Sequence, residues 1–286
     1  MRILLAIVHY WDPEGDGQHQ SLRPNPAPRV AALQEQLLAL CRLGLRRSYL
    51  HMGDRRAYPA DEALRHQIDV RIITDGQHHV LAHLDPCFRP LFEEVVTTPA
   101  NGRLLGFEAQ RHLATELNAE YDFYAYFEDD LVIHDPLFFH KLSWFQQLLG
   151  EDSLLLPQRL ELAQGPSRVD RFYIDGPLAD ADLARLNLKK GPVLVVPCFG
   201  EQMVFETPHN PHAGCFVLSH RQLKEWSERP WWLDGDCSFI SPLESAATLG
   251  LIKTFRLYKP SFAHASWLEV QHWGTSFHCL LDLESA

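Results

Sequence analysis

The sequence predicts an α/β fold: a mixed, mostly parallel sheet flanked by helices, followed by a less regular second half. Three observations carry this reading. Residues 3–8 form an unbroken apolar run rich in branched side chains, the pattern of a strand buried on both faces of a parallel sheet. Apolar residues at Val30, Leu33, Leu37, Leu38, Leu40 and Cys41 then recur at helical spacing, and Gly44 supplies a stop. Strand and helix patterns alternate up to Leu149, after which the runs become short and are separated by glycine and proline.

In chain order, the apolar run is the first strand. Residues 11–28 carry Gly15, Gly17 and four prolines, so they read as a long loop that closes over a ligand. The helix from Arg29 follows, then strands over 48–52 and 69–74, the second ending in the turn pair Asp75-Gly76. Residues 107–117 fit an amphipathic helix and 121–127 an aromatic strand, and Asp135-Pro136 opens a helix to Leu149. The second half reads as short strands at 154–156, 171–174 and 193–196, a strand-to-helix junction over 216–226, a helix over 243–249 and a late strand over 253–258. No repeat or linker interrupts the chain, so one domain over 1–286 is expected, divided into halves 1–150 and 151–286.

Composition excludes several classes. With 46% hydrophobic and 22% charged residues among 286, the chain is neither disordered nor collagen-like. The net charge of −11 argues against a general binder of nucleic acid or anionic membrane, leaving room only for a local basic patch. Six scattered cysteines form no Cys-x-x-Cys pair and read as free thiols. No run has the length of a signal peptide's apolar region or of a membrane span, so a cytoplasmic protein without integral membrane contact is expected.

The most informative stretch is residues 123–133, FYAYFEDDLVI, where three acids interrupt an otherwise buried strand. In open α/β sheets ligands gather beyond the carboxyl ends of strands, and Glu128-Asp129-Asp130 falls at such an end. Paired carboxylates there suit Mg²⁺ or Mn²⁺, whose remaining positions phosphate oxygens fill.

Here the chain resembles the nucleotide-sugar glycosyltransferases of the GT-A fold. Their Asp-x-Asp signature follows an apolar strand as Glu128-Asp129-Asp130 does, with Glu in place of the usual first Asp. The resemblance implies a Mn²⁺- or Mg²⁺-dependent transferase. It would move a hexosyl or N-acetylhexosaminyl group from a nucleoside-diphosphate sugar, a UDP-sugar by preference, to a saccharide or other hydroxyl. It further implies that Asp130 binds the metal, that Glu128 and Asp129 face the nucleotide or reach the metal through water, and that His9, Tyr10 and Asp75 hold base and ribose. Arg111 and Lys259 would serve the diphosphate, with Arg103 beside them, and His264, preferred over His272 because it follows the late strand more closely, would add a metal contact.

The resemblance also implies, for an inverting enzyme, a carboxylate general base near a helix start in the second half, a place that Glu244 fits, with Asp234 and Asp236 as competitors. Trp231, Trp232, Trp267 and Trp273 offer an acceptor platform, and Ala213-Gly214, in a stretch that resembles the small-residue turn backing the donor sugar in that fold, allows close approach. A sugar-nucleotide nucleotidyltransferase, a metal-dependent hydrolase and a catalytically silent carbohydrate-binding protein are the alternatives.

Overall fold

The computed structural model describes residues 1–15, 20–163, 171–198 and 200–280. The first half contributes β1 (Arg2–Val8), α1 (Ala27–Gly44), a hairpin of β2 (Arg47–His51) and β3 (Arg56–Ala60), then β4 (Gln67–Thr74), β5 (Glu93–Val96), α2 (Leu105–Thr115), β6 (Phe123–Glu128), β7 (Leu131–Val132) and α3 (Phe138–Leu149). The second half adds β8 (Ser153–Leu155), β9 (Gln158–Leu162), β10 (Arg171–Tyr173), α4 (Asp180–Leu186), β11 (Leu194–Cys198), β12 (Glu201–Glu206), β13 (Cys215–Ser219), α5 (His220–Ser227), α6 (Pro242–Thr254), β14 (Arg256–Pro260) and β15 (Glu269–His272).

The central sheet runs β13-β6-β1-β4-β5, and all its pairs are parallel except β13 against β6. This is the expected mixed, mostly parallel sheet with flanking helices. β1 lies in its middle, which is why residues 3–7 are fully buried and why the run carries no alternation. The register sets Val8 of β1 beside Glu128 of β6, so the first strand and the acidic strand end at the same level.

Among the described residues, two four-stranded sheets, β10-β9-β15-β7 and β11-β12-β14-β8, and the two-stranded β2–β3 hairpin accompany the central sheet. The hydrophobic core is continuous from Ile3 to Val270 and joins both halves. Tyr126 stacks on Phe216 with ring centroids 4.9 Å apart, fastening β6 to β13. Where α2 crosses α6, a Cβ on Gly106 would lie 2.7 Å from the Ala246 Cβ, so the close approach of the two helices requires glycine.

The strand expected over 48–52 is present as β2, but it lies outside the central sheet, in the β2–β3 hairpin, whose residues are almost all exposed. Its Tyr and Leu satisfy strand propensity, but no sheet lies beside it to cover them. The late strand begins at Arg256 instead of Lys253, because α6 continues to Thr254. Among the described residues no helix is long and apolar enough to cross a membrane. All six cysteines are free.

Candidate active site

Two small strands build the site around the end of β6. After Glu128 the chain turns through Asp129 and Asp130 into β7, which pairs antiparallel with β15, His272 opposite Leu131. The backbone N–H of Trp273 donates to the Asp130 carbonyl at 2.7 Å. β15 pairs parallel with β9, which brings in Arg159 and Glu161, and the β9–β10 hairpin leads to Asp175. Behind the turn, Gly214 adopts φ +62°, and a Cβ there would lie 2.7 Å from Glu128 Oε2. The close approach expected of this glycine is therefore to the acidic motif itself.

All three acids are buried, and buried charges require partners. Asp129 accepts from His9 Nδ1 at 2.6 Å and from Arg29 Nη1 at 2.5 Å. The Val80 N–H donates to His9 Nε2 at 2.9 Å, so the proton of the neutral imidazole sits on Nδ1 and points at Asp129. Burial pushes the Asp129 carboxyl up, but Arg29 and His9 outweigh it and hold it below its ordinary value.

Asp130 takes a second bond from Arg29 Nη1 at 3.1 Å and lies 3.5 Å from His272 Nε2. Its Oδ1 is buried without a partner. His272 Nδ1 meets Glu161 Oε1 at 3.0 Å. Glu161, which also accepts from the N–H groups of Phe277 and His278, is kept below its ordinary pKa by these bonds against the effect of burial.

Glu128 differs from both neighbours. Burial pushes its carboxyl up to about 8; Arg159 opposes the shift, while Asp130, Glu244 and Asp129 add to it. Its Oε1 is 3.7 Å from His212 Nε2 and has no hydrogen bond. Arg159 is 3.6 Å from Glu128 Oε2, too far for a strong bond, because it is engaged with Asp175 at 2.7 Å. Lys259 binds Asp175 at 3.1 Å and the His212 carbonyl at 2.5 Å. Asp175 lies far below the ordinary carboxylate range: burial works against this, and Arg159 and Lys259 more than offset it. Burial pushes His212 well below its ordinary value, so it is neutral.

Glu244 sits in the first turn of α6, as expected. Its charge reaches Glu128 and Tyr126, raising both, and its Oε2 is buried without a partner. The competitors Asp234 and Asp236 are both bound to Lys253, at 2.8 and 3.0 Å. At the same edge of the sheet, Tyr10 packs on His78 with centroids 5.3 Å apart. Asp75 binds His78 Nδ1 at 2.7 Å and caps its own turn through the N–H groups of Gln77 and His78. Those bonds hold Asp75 below its ordinary value although burial opposes them.

The structure therefore brings His9, Glu128, Asp129 and Asp130 into one network with Glu244 close by, and sets Tyr10 and Asp75 on an adjoining ledge. Four expected residues fall elsewhere or are occupied. His264 bonds to Ser261 Oγ at 3.0 Å; His272 is the histidine beside Asp130, because pairing of β15 with β7, not nearness to β14, fixes the geometry. Arg111 is exposed on α2 and pairs with Glu108, while Arg103 is exposed just before that helix. Lys259 is 2% exposed with its ammonium spent on Asp175 and His212.

Trp231, Trp232 and Trp267 do not form a common platform. Trp267 packs against Trp144 and Phe205, Trp232 against Trp226, and the Trp231 indole donates to Thr254. In the loop expected over 11–28, residues 16–19 lie outside the described ones; its remaining ends are joined by Asp12 N to Ser21 O at 2.8 Å and by Trp11 Nε1 to Arg23 O at 2.9 Å.

No protein-family model and no curated protein matches the chain. Solved structures do. A fragment of S. aureus TarS in complex with UDP is 11% identical over 92% of this chain and 58% of that one, with a TM-score of 0.44. Mannose-1-phosphate geranyltransferase from Thermus thermophilus is 12% identical over 91% of this chain and 73% of that one, at 0.41. CMP:2-keto-3-deoxy-manno-octonic acid synthetase complexed with CTP is 12% identical over 91% and 90% of the two chains, at 0.37. The chain spans only 37% of the longer TarS structure. All three TM-scores lie below 0.5, so the functional reading rests on the residues of the site.

Sequence reasoning passed over Arg29, Arg159, Glu161, Asp175 and His212. Arg29 looks like any arginine of a first helical turn. Three of the others carried a signal: Arg159 and Glu161 interrupt the apolar stretch LLLPQRLEL, and Asp175 ends a strand-like run in Asp-Gly as Asp75 does.

Proposed function

We propose that this protein is a glycosyltransferase that takes a sugar from a nucleoside-diphosphate sugar and passes it to an acceptor hydroxyl. The observation that carries the reading is the unfinished acidic cluster at the carboxyl end of β6. Glu128 Oε1 and Asp130 Oδ1 are buried, unpartnered oxygens at the sheet edge where ligands of α/β folds bind.

The residues fit a divalent cation that arrives with its diphosphate. Asp130 offers a free carboxylate oxygen, and His272, oriented through Nδ1 by Glu161, aims Nε2 at the same carboxylate, the carboxylate–histidine arrangement that orients metal-binding imidazoles. Among the described residues no three His, Cys, Asp or Glu are grouped to hold a metal unaided. Mg²⁺ and Mn²⁺ suit such a site, because they draw their remaining ligands from phosphate and water. When bound, the cation supplies positive charge against the departing diphosphate.

The chain's own residues perform the remaining tasks. Tyr10, His78 and Asp75 form a ledge for base and ribose; Arg29, fixed by Asp129 and Asp130, supplies a permanent positive charge beside the phosphate position. Glu244 accepts the acceptor's proton on its free Oε2, since the rival acids are neutralised by Lys253. Glu128, neutral at physiological pH, keeps the cluster from accumulating three adjacent negative charges.

The test is to incubate the protein with a panel of nucleoside-diphosphate sugars and simple saccharides, with Mn²⁺ or with chelator. Cation-dependent release of nucleoside diphosphate together with a glycosylated product supports the reading. Pyrophosphate formed from a nucleoside triphosphate and a sugar phosphate would assign nucleotidyl transfer instead.

A further inference from the structure

The β2–β3 hairpin is set apart from the rest of the molecule. Every residue from 45 to 59 is exposed, on both faces of the hairpin. Two-stranded hairpins without a covering layer are marginal in water, yet this one displays apolar surface: five of the thirteen large hydrophobic side chains exposed among the described residues are Leu45, Tyr49, Leu50, Met52 and Tyr58. Leu50 is 60% exposed and Met52, in the turn, 77%. The alternation of the strands sorts them. Tyr49 stacks on Tyr58 on one face, and Leu50 lies opposite Ala57 on the other, with Met52 beyond it at the tip.

The charge of this segment opposes that of the whole chain. Residues 42–58 hold five arginines against one acid, Asp54, in a chain whose net charge is −11. Asp54 is turned into the hairpin, accepting from the Tyr58 hydroxyl at 2.6 Å and the Arg56 N–H at 3.1 Å. Arg47 pairs with Asp61, whereas Arg46, Arg55 and Arg56 have no ion-pair partner among the described residues.

We infer that the hairpin docks this protein onto an anionic lipid bilayer, with Leu50 and Met52 entering the headgroup–acyl boundary and the arginines meeting the lipid charges. A protruding apolar tip ringed by arginines and tyrosines has the chemistry of an interfacial anchor. Nucleic acid would leave the aliphatic tip without a role. A second copy is disfavoured because symmetric contact would set arginine against arginine, and Pro59 removes a donor from the β3 edge.

The hairpin follows the C-terminus of α1 and precedes β4, so it lies at the sheet edge opposite the acidic cluster. The 18 residues of α1 separate the two ends by roughly 27 Å. Docking by this surface would leave the site facing away from the membrane, so the inference stands whether or not the proposed transfer is correct.

Sedimentation with vesicles tests it, using phosphatidylcholine alone and phosphatidylcholine with phosphatidylglycerol. The wild type is expected to bind only the anionic vesicles, and more weakly as salt is raised. Leu50→Asp/Met52→Asp should lower binding at least about tenfold, and Arg55→Gln and Arg56→Gln about fivefold each. Melting temperatures should match the wild type, since the changed side chains touch solvent. Binding indifferent to lipid charge, retention by the double aspartate variant, or no binding would overturn the inference. So would a concentration-dependent dimer that the same variant dissolves, which would assign the hairpin to a second copy.

Discussion

Two charged clusters meet behind the acidic strand, and they are built on opposite terms. In the Arg159–Asp175–Lys259 group every charged side chain has a hydrogen-bonded partner: Arg159 binds Asp175 through both Nε and Nη2, Lys259 binds it from the other side and also donates to the His212 carbonyl, and all three residues are buried. In the Glu128–Asp129–Asp130 group only Asp129 is fully matched, by His9 and Arg29. Glu128 and Asp130 each keep a buried oxygen without a donor, and so does Glu244 nearby. A saturated ionic cluster has nothing left for a ligand, so its contribution is to the fold. An unsaturated one is costly to the fold and is where chemistry is to be sought.

The contrast breaks first if its two sides respond alike to mutation. Glu244→Gln removes the proposed proton acceptor; on that reading sugar transfer should fall by about two to four orders of magnitude while nucleotide-sugar affinity stays near the wild type. Steady-state kinetics with a binding titration decides this, and transfer at the wild-type rate would place the base elsewhere. Asp175→Asn strikes the saturated cluster and leaves two buried cations without their counter-ion. Urea unfolding should show a loss of about 3–5 kcal/mol; a loss near zero would mean that the cluster does not serve the fold.

A smaller effect sharpens the same contrast through pH. Glu128 is raised from 4.5 to about 8 in the folded protein, so between those values the native state holds a proton that the unfolded chain has released. Stability is then full below the unfolded value and declines as pH rises through the folded one. Glu128→Gln, which keeps the neutral shape, should lose part of the drop in melting temperature between about pH 6 and about pH 9. An unchanged profile would show that Glu128 is ionised at neutrality and paired with Arg159.

Local pattern made the β6 strand and its acids legible, because three charges in an aromatic run have few places to go except a sheet edge. It also marked β1, α1 and the first turn of α6 with Glu244. What it missed depended on long-range pairing. His264 and His272 are alike in sequence, and only the pairing of β15 with β7 sets His272 beside Asp130. Lys259 has the sequence setting of a cation for diphosphate, but Asp175, 84 residues earlier, holds it. Residues 48–52 have strand composition, but composition does not tell whether a covering layer exists.

The central claim, that the open oxygen of Asp130 receives a cation with its diphosphate, is tested most directly by titrating nucleoside diphosphate with and without Mn²⁺. Wild type, Asp130→Asn, His272→Ala and His264→Ala should be compared by calorimetry. Tight binding should need Mn²⁺ in the wild type, weaken at least about tenfold in Asp130→Asn and His272→Ala, and persist in His264→Ala, because only the first two residues face the proposed cation position. Binding of equal strength with chelator present, or in Asp130→Asn, would contradict the account.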